Sequence, residues 1–248
     1  MLSRALHRFG TAVAIVLMAA APAFAQVQID KFLDPFPPNP DLPVGGAEVL
    51  FVGTWCDGGV CPPGLIVTHA TQDACSQTGL PNVLGGERNT LLLRSGTTGN
   101  GDAGAYGGYL CQNHSSFGRS KLFVDYGVTV DLNANLTIGL ATALRIDVVG
   151  DMYSGPRPVP FTITVTSRRG TPQQATASAT QNLVLEGTYT YPFAGFAGVD
   201  FTDVDAISIV SDATNYSAVD LCIYNFQTNG IPVGVESIDF GRFKVLYR

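Results

Sequence analysis

The sequence predicts an all-β protein, an antiparallel sandwich of two sheets, and three observations predict it. Apolar residues recur at every second position over short runs, clusters of Gly, Pro, Asn and Asp separate those runs, and no segment after residue 25 keeps a helical period. Only one side of each run is apolar. That pattern fits antiparallel sheets with one wet face rather than the wholly apolar strands of a parallel sheet.

The first element is read as a secretory signal peptide over residues 1–25. Arg4, His7 and Arg8 give a basic start, residues 11–20 are almost wholly apolar, and Ala23-Phe24-Ala25 fits the small-x-small cleavage rule. The apolar run is shorter than the roughly 20 residues a membrane helix needs. No cysteine sits just after the cleavage site, so neither a membrane span nor a lipid anchor is expected, and the mature chain is expected in the periplasm or outside the cell. A mature chain of 26–248 is short enough for one β-sandwich domain. It carries twelve basic against twenty acidic residues, a formal charge of −8. An acidic chain without a basic cluster is a poor nucleic-acid binder, and the pair Arg168-Arg169 reads as a solvated hairpin turn.

Strands are expected at 27–33, 48–52, 65–68, 90–94, 122–132, 144–148, 161–165, 175–185, 204–210, 219–226 and 235–247. In the fifth, Leu122, Val124, Tyr126, Val128, Val130 and Leu132 share a face; in the seventh, Phe161, Ile163 and Val165 alternate with Thr162, Thr164 and Thr166. Spacing of this kind is that of a sandwich or barrel. Two stretches break it. Residues 34–46 hold five prolines and read as an extended tether. Residues 53–118, rich in Gly, Cys and short polar runs, are expected to form long disulfide-bearing loops at one end of the sandwich, where function most often lives.

All five cysteines fall in the mature chain, and export permits disulfides. Two bridges among five cysteines allow 15 arrangements. The preferred one joins Cys56 to Cys61 and Cys75 to Cys111, with Cys222 a buried thiol. His69 and His114 are not at ligand spacing with these cysteines, so zinc is not expected.

Sugar binding needs flat aromatic surface with polar groups at its edge. Trp55 lies in Gly53-Thr54-Trp55-Cys56-Asp57, and Tyr106 and Tyr109 lie in Ala105-Tyr106-Gly107-Gly108-Tyr109, where glycines would leave the rings accessible. Asn113, His114 and Arg119 are the expected polar edge. No Gly-x-Ser-x-Gly elbow is present, and no pair of carboxylates can be singled out for glycoside hydrolysis. Glu87 beside Arg88 reads as an ion-paired turn on a wet surface.

Several segments resemble one group of proteins. Val27-Gln28-Ile29-Asp30-Lys31-Phe32 and Val219-Asp220-Leu221-Cys222-Ile223-Tyr224-Asn225-Phe226 look like the first and last strands of jelly-roll carbohydrate-binding modules and related exported bacterial β-sandwich proteins. Tyr191 to Phe196, Val199 to Ile207 and Leu84-Gly85-Gly86-Glu87-Arg88 are similar to further segments of that group. The resemblance implies a jelly-roll-like sandwich. It also implies a structural calcium ion held by Asp30 and Asp220, although Tyr224 stands where that pattern often has an acid. The alternative is that both aspartates are ordinary wet-face residues.

The expected function is therefore that of an exported non-catalytic binding or surface protein, with carbohydrate or another extracellular polymer as ligand. The alternatives are a self-associating structural subunit of an extracellular matrix or surface layer, and a polysaccharide hydrolase or lyase.

Overall fold

Strand β10 (Val159–Ser167) shows how the sequence builds the molecule. Val159, Phe161, Ile163 and Val165 are buried on one face, while Thr162, Thr164 and Thr166 lie on the other. Its neighbour β11 (Ala175–Leu183) pairs with it antiparallel over nine residues without a bulge. On their outer face three hydroxyl pairs join them: Thr162 to Thr180 at 2.8 Å, Thr164 to Ser178 at 2.8 Å and Thr166 to Thr176 at 2.9 Å. The hairpin turn between the strands carries Arg168 and Arg169, as the sequence predicts.

The computed structural model describes residues 26–33, 50–55, 67–69, 71–96, 99, 101–106, 108–150 and 157–230, all within the unit Phe24–Pro232. The signal segment 1–25, the proline-rich stretch 34–46, Cys56, Cys61 and the strand expected at 235–247 lie outside the described residues. Fourteen strands occur among the described residues. Besides β10 and β11 they are β1 (Gln28–Asp30), β2 (Leu50–Trp55), β3 (Val67–His69), β4 (Gln72–Thr78), β5 (Glu87–Arg94), β6 (Gly101–Tyr106), β7 (Tyr109–His114), β8 (Ser120–Tyr126), β9 (Ala143–Val149), β12 (Gly187–Pro192), β13 (Val204–Asp212) and β14 (Asp220–Thr228).

They form two antiparallel sheets packed as a jelly-roll-like sandwich. One runs β11-β10-β13-β8-β5-β4; the other runs β12-β9-β14-β7-β6-β2-β3, with β1 also pairing with β14. The core between them includes Ile29, Phe32, Leu92, Val124, Leu144, Ile146, Phe161, Ile163, Tyr191, Ile209, Ile223 and Phe226. Each such side chain contributes about 1.5–3 kcal/mol by leaving water.

The structure departs from the sequence reading in several places, and β12 is a strand the sequence reading did not expect. Most of the described residues within 53–118 lie in β3 to β7 rather than in long loops. The inward positions there are small or polar, as in Ala103 and Ala105 of β6 and Gln112 and His114 of β7, so no apolar alternation shows. The run 122–132 is not one strand. β8 stops at Tyr126, because Gly127 turns the chain at φ +72 with the carbonyl of Asp205 where a Cβ would sit; Val128 and Val130 are then exposed.

The Glu87-Arg88 pair is not a wet ion-paired turn. Glu87 accepts from Asn89 and Thr129, while Arg88 is wholly buried and donates to Asp30 Oδ2 at 2.6 Å. Tyr126 also donates to Asp30 Oδ2 at 3.0 Å, the Phe32 N–H donates to Oδ1 at 2.7 Å, and Gln77 Oε1 accepts from Arg88 Nη2 at 3.0 Å. Burial pushes the Asp30 carboxyl above its usual range, against the opposing pull of Arg88.

Finally, Cys111 is bonded to Cys222, so Cys75–Cys111 does not form and Cys222 is not a thiol. The two cysteines stand directly opposite on β7 and β14, a pairing that only the strand register brings about across 111 residues of chain.

Candidate functional site

The disulfide marks the middle of a strip along the outer face of the larger sheet, with Cys111 itself buried and Tyr109 exposed. In β7, Leu110, Gln112 and His114 point inward, so Tyr109, Cys111 and Asn113 point outward; in β14, Leu221 and Ile223 point inward, so Asp220, Cys222 and Tyr224 point outward. Successive outward rungs of the two strands bring together Tyr109 with Tyr224, Cys111 with Cys222, and Asn113 with Asp220. The two tyrosine rings lie 5.6 Å apart between centroids at a 59° tilt, and Tyr109 is 40% exposed. The covalent bond holds the backbones together one rung from these rings. Gly104 of β6 stands opposite Cys111 and adds no side chain beside the disulfide.

Polar groups flank the rings on the β9 side. Asp147 of β9 stands opposite Tyr224 of β14 and Thr188 of β12. Its carboxylate accepts from Thr188 Oγ1 at 2.6 Å, Arg145 Nη2 at 2.9 Å and Asn225 Nδ2 at 3.2 Å. Burial raises its pKa, but these donors outweigh burial and hold the carboxyl below its usual range. Arg145, whose side chain is 35% exposed, is thereby held on Asp147, the residue opposite Tyr224. Asn225 adopts φ +53, and the register of β14 against β9 shifts between Tyr224 and Gln227, a bulge that turns Asn225 towards Asp147.

At the other end, four residues along β7, Asn113 donates to Asp102 of β6 at 2.8 Å, and Asp220 accepts from the backbone N–H of His114 at 3.3 Å. Burial raises the Asp102 pKa, and the carboxylate of Asp220 adds to the rise against the Asn113 donor. The strand rise puts this polar cluster about 13 Å from the tyrosines. The surface is a strip with an aromatic end, a covalent clasp and a polar end.

Of the residues that the sequence singles out for ligand binding, the structure brings Tyr109 and Asn113 onto this strip. Tyr106 stands opposite Tyr109 in the β6–β7 register; its side chain lies outside the description. Trp55 is placed by its backbone alone. It ends β2 beyond the Gly101 end of β6, whereas Tyr106 ends β6 at the other end. His114 faces the interior, where its Nε2 lies 2.6 Å from Ser120 Oγ, and burial pushes its pKa down to about 4. This His–Ser contact is not a nucleophilic pair open to substrate, since Ser120 is wholly buried. Arg119 is exposed in the turn before β8.

The two acids expected to share calcium are not neighbours. Asp30 is inside the sandwich on Arg88 and stands opposite Phe226, six residues along β14 from Asp220, which faces outward. Asp30 is thus neither a calcium ligand with Asp220 nor a wet-face residue. Among the described residues no cluster of three or more His, Cys, Asp and Glu side chains is placed to hold a metal ion.

Sequence reasoning missed Tyr224, Arg145, Asp147, Thr188 and Asn225. The signal for Tyr224 was present in the alternation of 219–226, which puts it opposite in direction to Ile223. Asp147 and Arg145 alternate with Leu144, Ile146 and Val148 in the same way.

No family model matches this chain, and no curated protein matches it. Among solved structures, a family 11 carbohydrate-binding module from a cellulosomal cellulase of Clostridium thermocellum is 16% identical, with 73% of this chain and 96% of the module covered at a TM-score of 0.32. The family 11 module from Clostridium thermocellum in complex with a β-1,3-1,4-mixed-linked tetrasaccharide is 15% identical, with coverages of 74% and 98% and the same TM-score of 0.32. A family 30 carbohydrate-binding module is 10% identical, with coverages of 88% and 95% and a TM-score of 0.36. Likenesses at these identities and scores carry no argument about function. No helix among the described residues is long and apolar enough to cross a membrane.

Proposed function

We propose that this is an exported, non-catalytic carbohydrate-binding protein whose ligand lies along the outer strip of β9, β14, β7 and β6. The observation that supports this reading is the juxtaposition of Tyr109 and Tyr224, with centroids 5.6 Å apart on a solvent-facing sheet, beside polar groups already fixed by Asp147. The apolar faces of a sugar chain stack on aromatic rings, and its hydroxyls pair with donors and acceptors held at the rim. Preorganised donors such as Arg145 and Asn225 reduce the ordering cost of binding. Asn113 and Asp102 at the far end give an extended chain a second polar anchor. Export is supported by the disulfide Cys111–Cys222, since such bonds persist in oxidising compartments.

The test is retention on a panel of polysaccharides, with Y109A and Y224A compared with the wild type. Each substitution is expected to weaken binding by about tenfold or more, the loss typical of a central aromatic contact. The melting temperature is expected to change little for Y109A, because that ring is exposed. Unchanged binding in both variants, or release of shortened products by the wild type, would sink this reading.

A further inference from the structure

Strand β11 closes one side of the six-stranded sheet, and among the described residues only β10 pairs with it. Exposed strand edges are templates for further pairing, and proteins blunt them with short strands, charges, prolines or bulges. The other edges show such devices. β3 has three residues, β12 has six and ends in Pro192, and β4 carries Asp73. β11 has none. Its nine residues, Ala-Thr-Ala-Ser-Ala-Thr-Gln-Asn-Leu, contain no charge and no proline, and its register with β10 is unbroken.

Its sequence is also self-complementary. An antiparallel copy placed with Ser178 opposite the partner's Ser178 sets Thr176 against the partner's Thr180 and Ala177 against the partner's Ala179. This arrangement repeats the hydroxyl ladder that β10 already makes with β11, where Thr166, Thr164 and Thr162 meet Thr176, Ser178 and Thr180. Thr176, Ser178 and Thr180 are exposed, and their outer face continues that of β10. A twofold contact requires one patch to fit itself, and this edge does so residue by residue. For a chain of formal charge −6, it is also a surface on which two copies meet without opposing like charges.

We propose that β11 is a self-association edge: two copies of this chain pair antiparallel about Ser178 and join their six-stranded sheets into one. The occupant of the edge is a second copy, and the contact is independent of the carbohydrate strip on the other sheet.

Sedimentation of the wild type over a range of concentrations is expected to show a monomer–dimer equilibrium. S178K sets two lysines opposite each other across the twofold axis, and S178E sets two glutamates; each is expected to weaken dimerisation about fivefold or more. Mixing S178K with S178E in equal amounts is expected to restore it. T164K, one strand inward on the same face, controls for added charge and is expected to leave more of the dimer than S178K does. Ser178 is exposed, so its variants are expected to keep wild-type circular dichroism. A wild type that stays monomeric at every concentration overturns the proposal. So does a dimer indifferent to S178K and S178E, because its contact lies elsewhere.

Discussion

His114 illustrates what a single buried side chain does to the whole energy balance. Its Nε2 meets Ser120 Oγ at 2.6 Å, Gln112 Nε2 donates to the same oxygen at 2.8 Å, and Ser211 donates to Gln112 Oε1 at 2.6 Å, a polar chain across the interior between the sheets. Burial alone lowers the histidine pKa to about 4 from its ordinary 6.5. A folded-state pKa below the unfolded one means that the unfolded chain takes up the proton first. Stability is therefore full above about pH 6.5 and falls as the pH drops towards 4. The loss between pH 7 and pH 4.5 amounts to about 2 kcal/mol. Urea unfolding at those two pH values should show it in the wild type. In H114Q, which keeps a polar side chain but does not titrate, the difference should shrink by that amount; equal slopes in both proteins would place the acid sensitivity in other groups. The same residue shows why the site was half legible. A histidine beside Asn113 reads as a ligand-edge group from composition, yet strand parity sends neighbouring side chains to opposite faces, and only the register of β7 says which one is wet.

At the scale of elements, the ladder between β7 and β14 carries the candidate site. Tyr109–Tyr224, Cys111–Cys222 and Asn113–Asp220 are consecutive rungs, so the disulfide sets the spacing of the groups on either side of it. Removing a native disulfide from a small secreted domain costs about 2–5 kcal/mol. The double variant C111A/C222A is expected to lose stability in that range. It should also lose affinity for the ligand at temperatures where it remains folded, because β7 and β14 then keep register through hydrogen bonds alone. Stability loss with affinity intact would confine the bond to a structural role. The strands β8, β9, β10 and β14 were readable because their inward residues are large and apolar, whereas the short β12, with Tyr189 and Tyr191 inward, was not read as a strand. Others were hidden where the inward residues are Ala103, Ala105, Gln112 or Gln77, because the alternation there is one of burial and not of hydrophobicity. The bridge was unreadable for a different reason. Cys111 and Cys222 are 111 residues apart, and their meeting follows from topology rather than from local spacing.

At the scale of the molecule, the two sheets are joined by more than apolar contact. Asp30 belongs to β1 in the larger sheet, whereas Arg88 of β5 and Tyr126 of β8 belong to the smaller one, so the 2.6 Å ion pair and the tyrosine hydrogen bond cross the sandwich. The Arg88 guanidinium also lies 5.7 Å from the centroid of the Phe32 ring and donates to Gln77. Charged groups this deeply buried gain from each other only about what they lost on leaving water, but removing one strands the other. R88M leaves the Asp30 carboxylate in the core without its cation, and D30L leaves the guanidinium without its anion; each is expected to cost about 3–5 kcal/mol. D30L/R88M removes both charges together and is expected to cost much less than the sum of the two, since neither ion is then buried alone. Denaturant unfolding of the four proteins completes the cycle. A double variant as unstable as the summed singles would show that the two residues act independently, and that the sheets are held here by packing around each residue rather than by the pair.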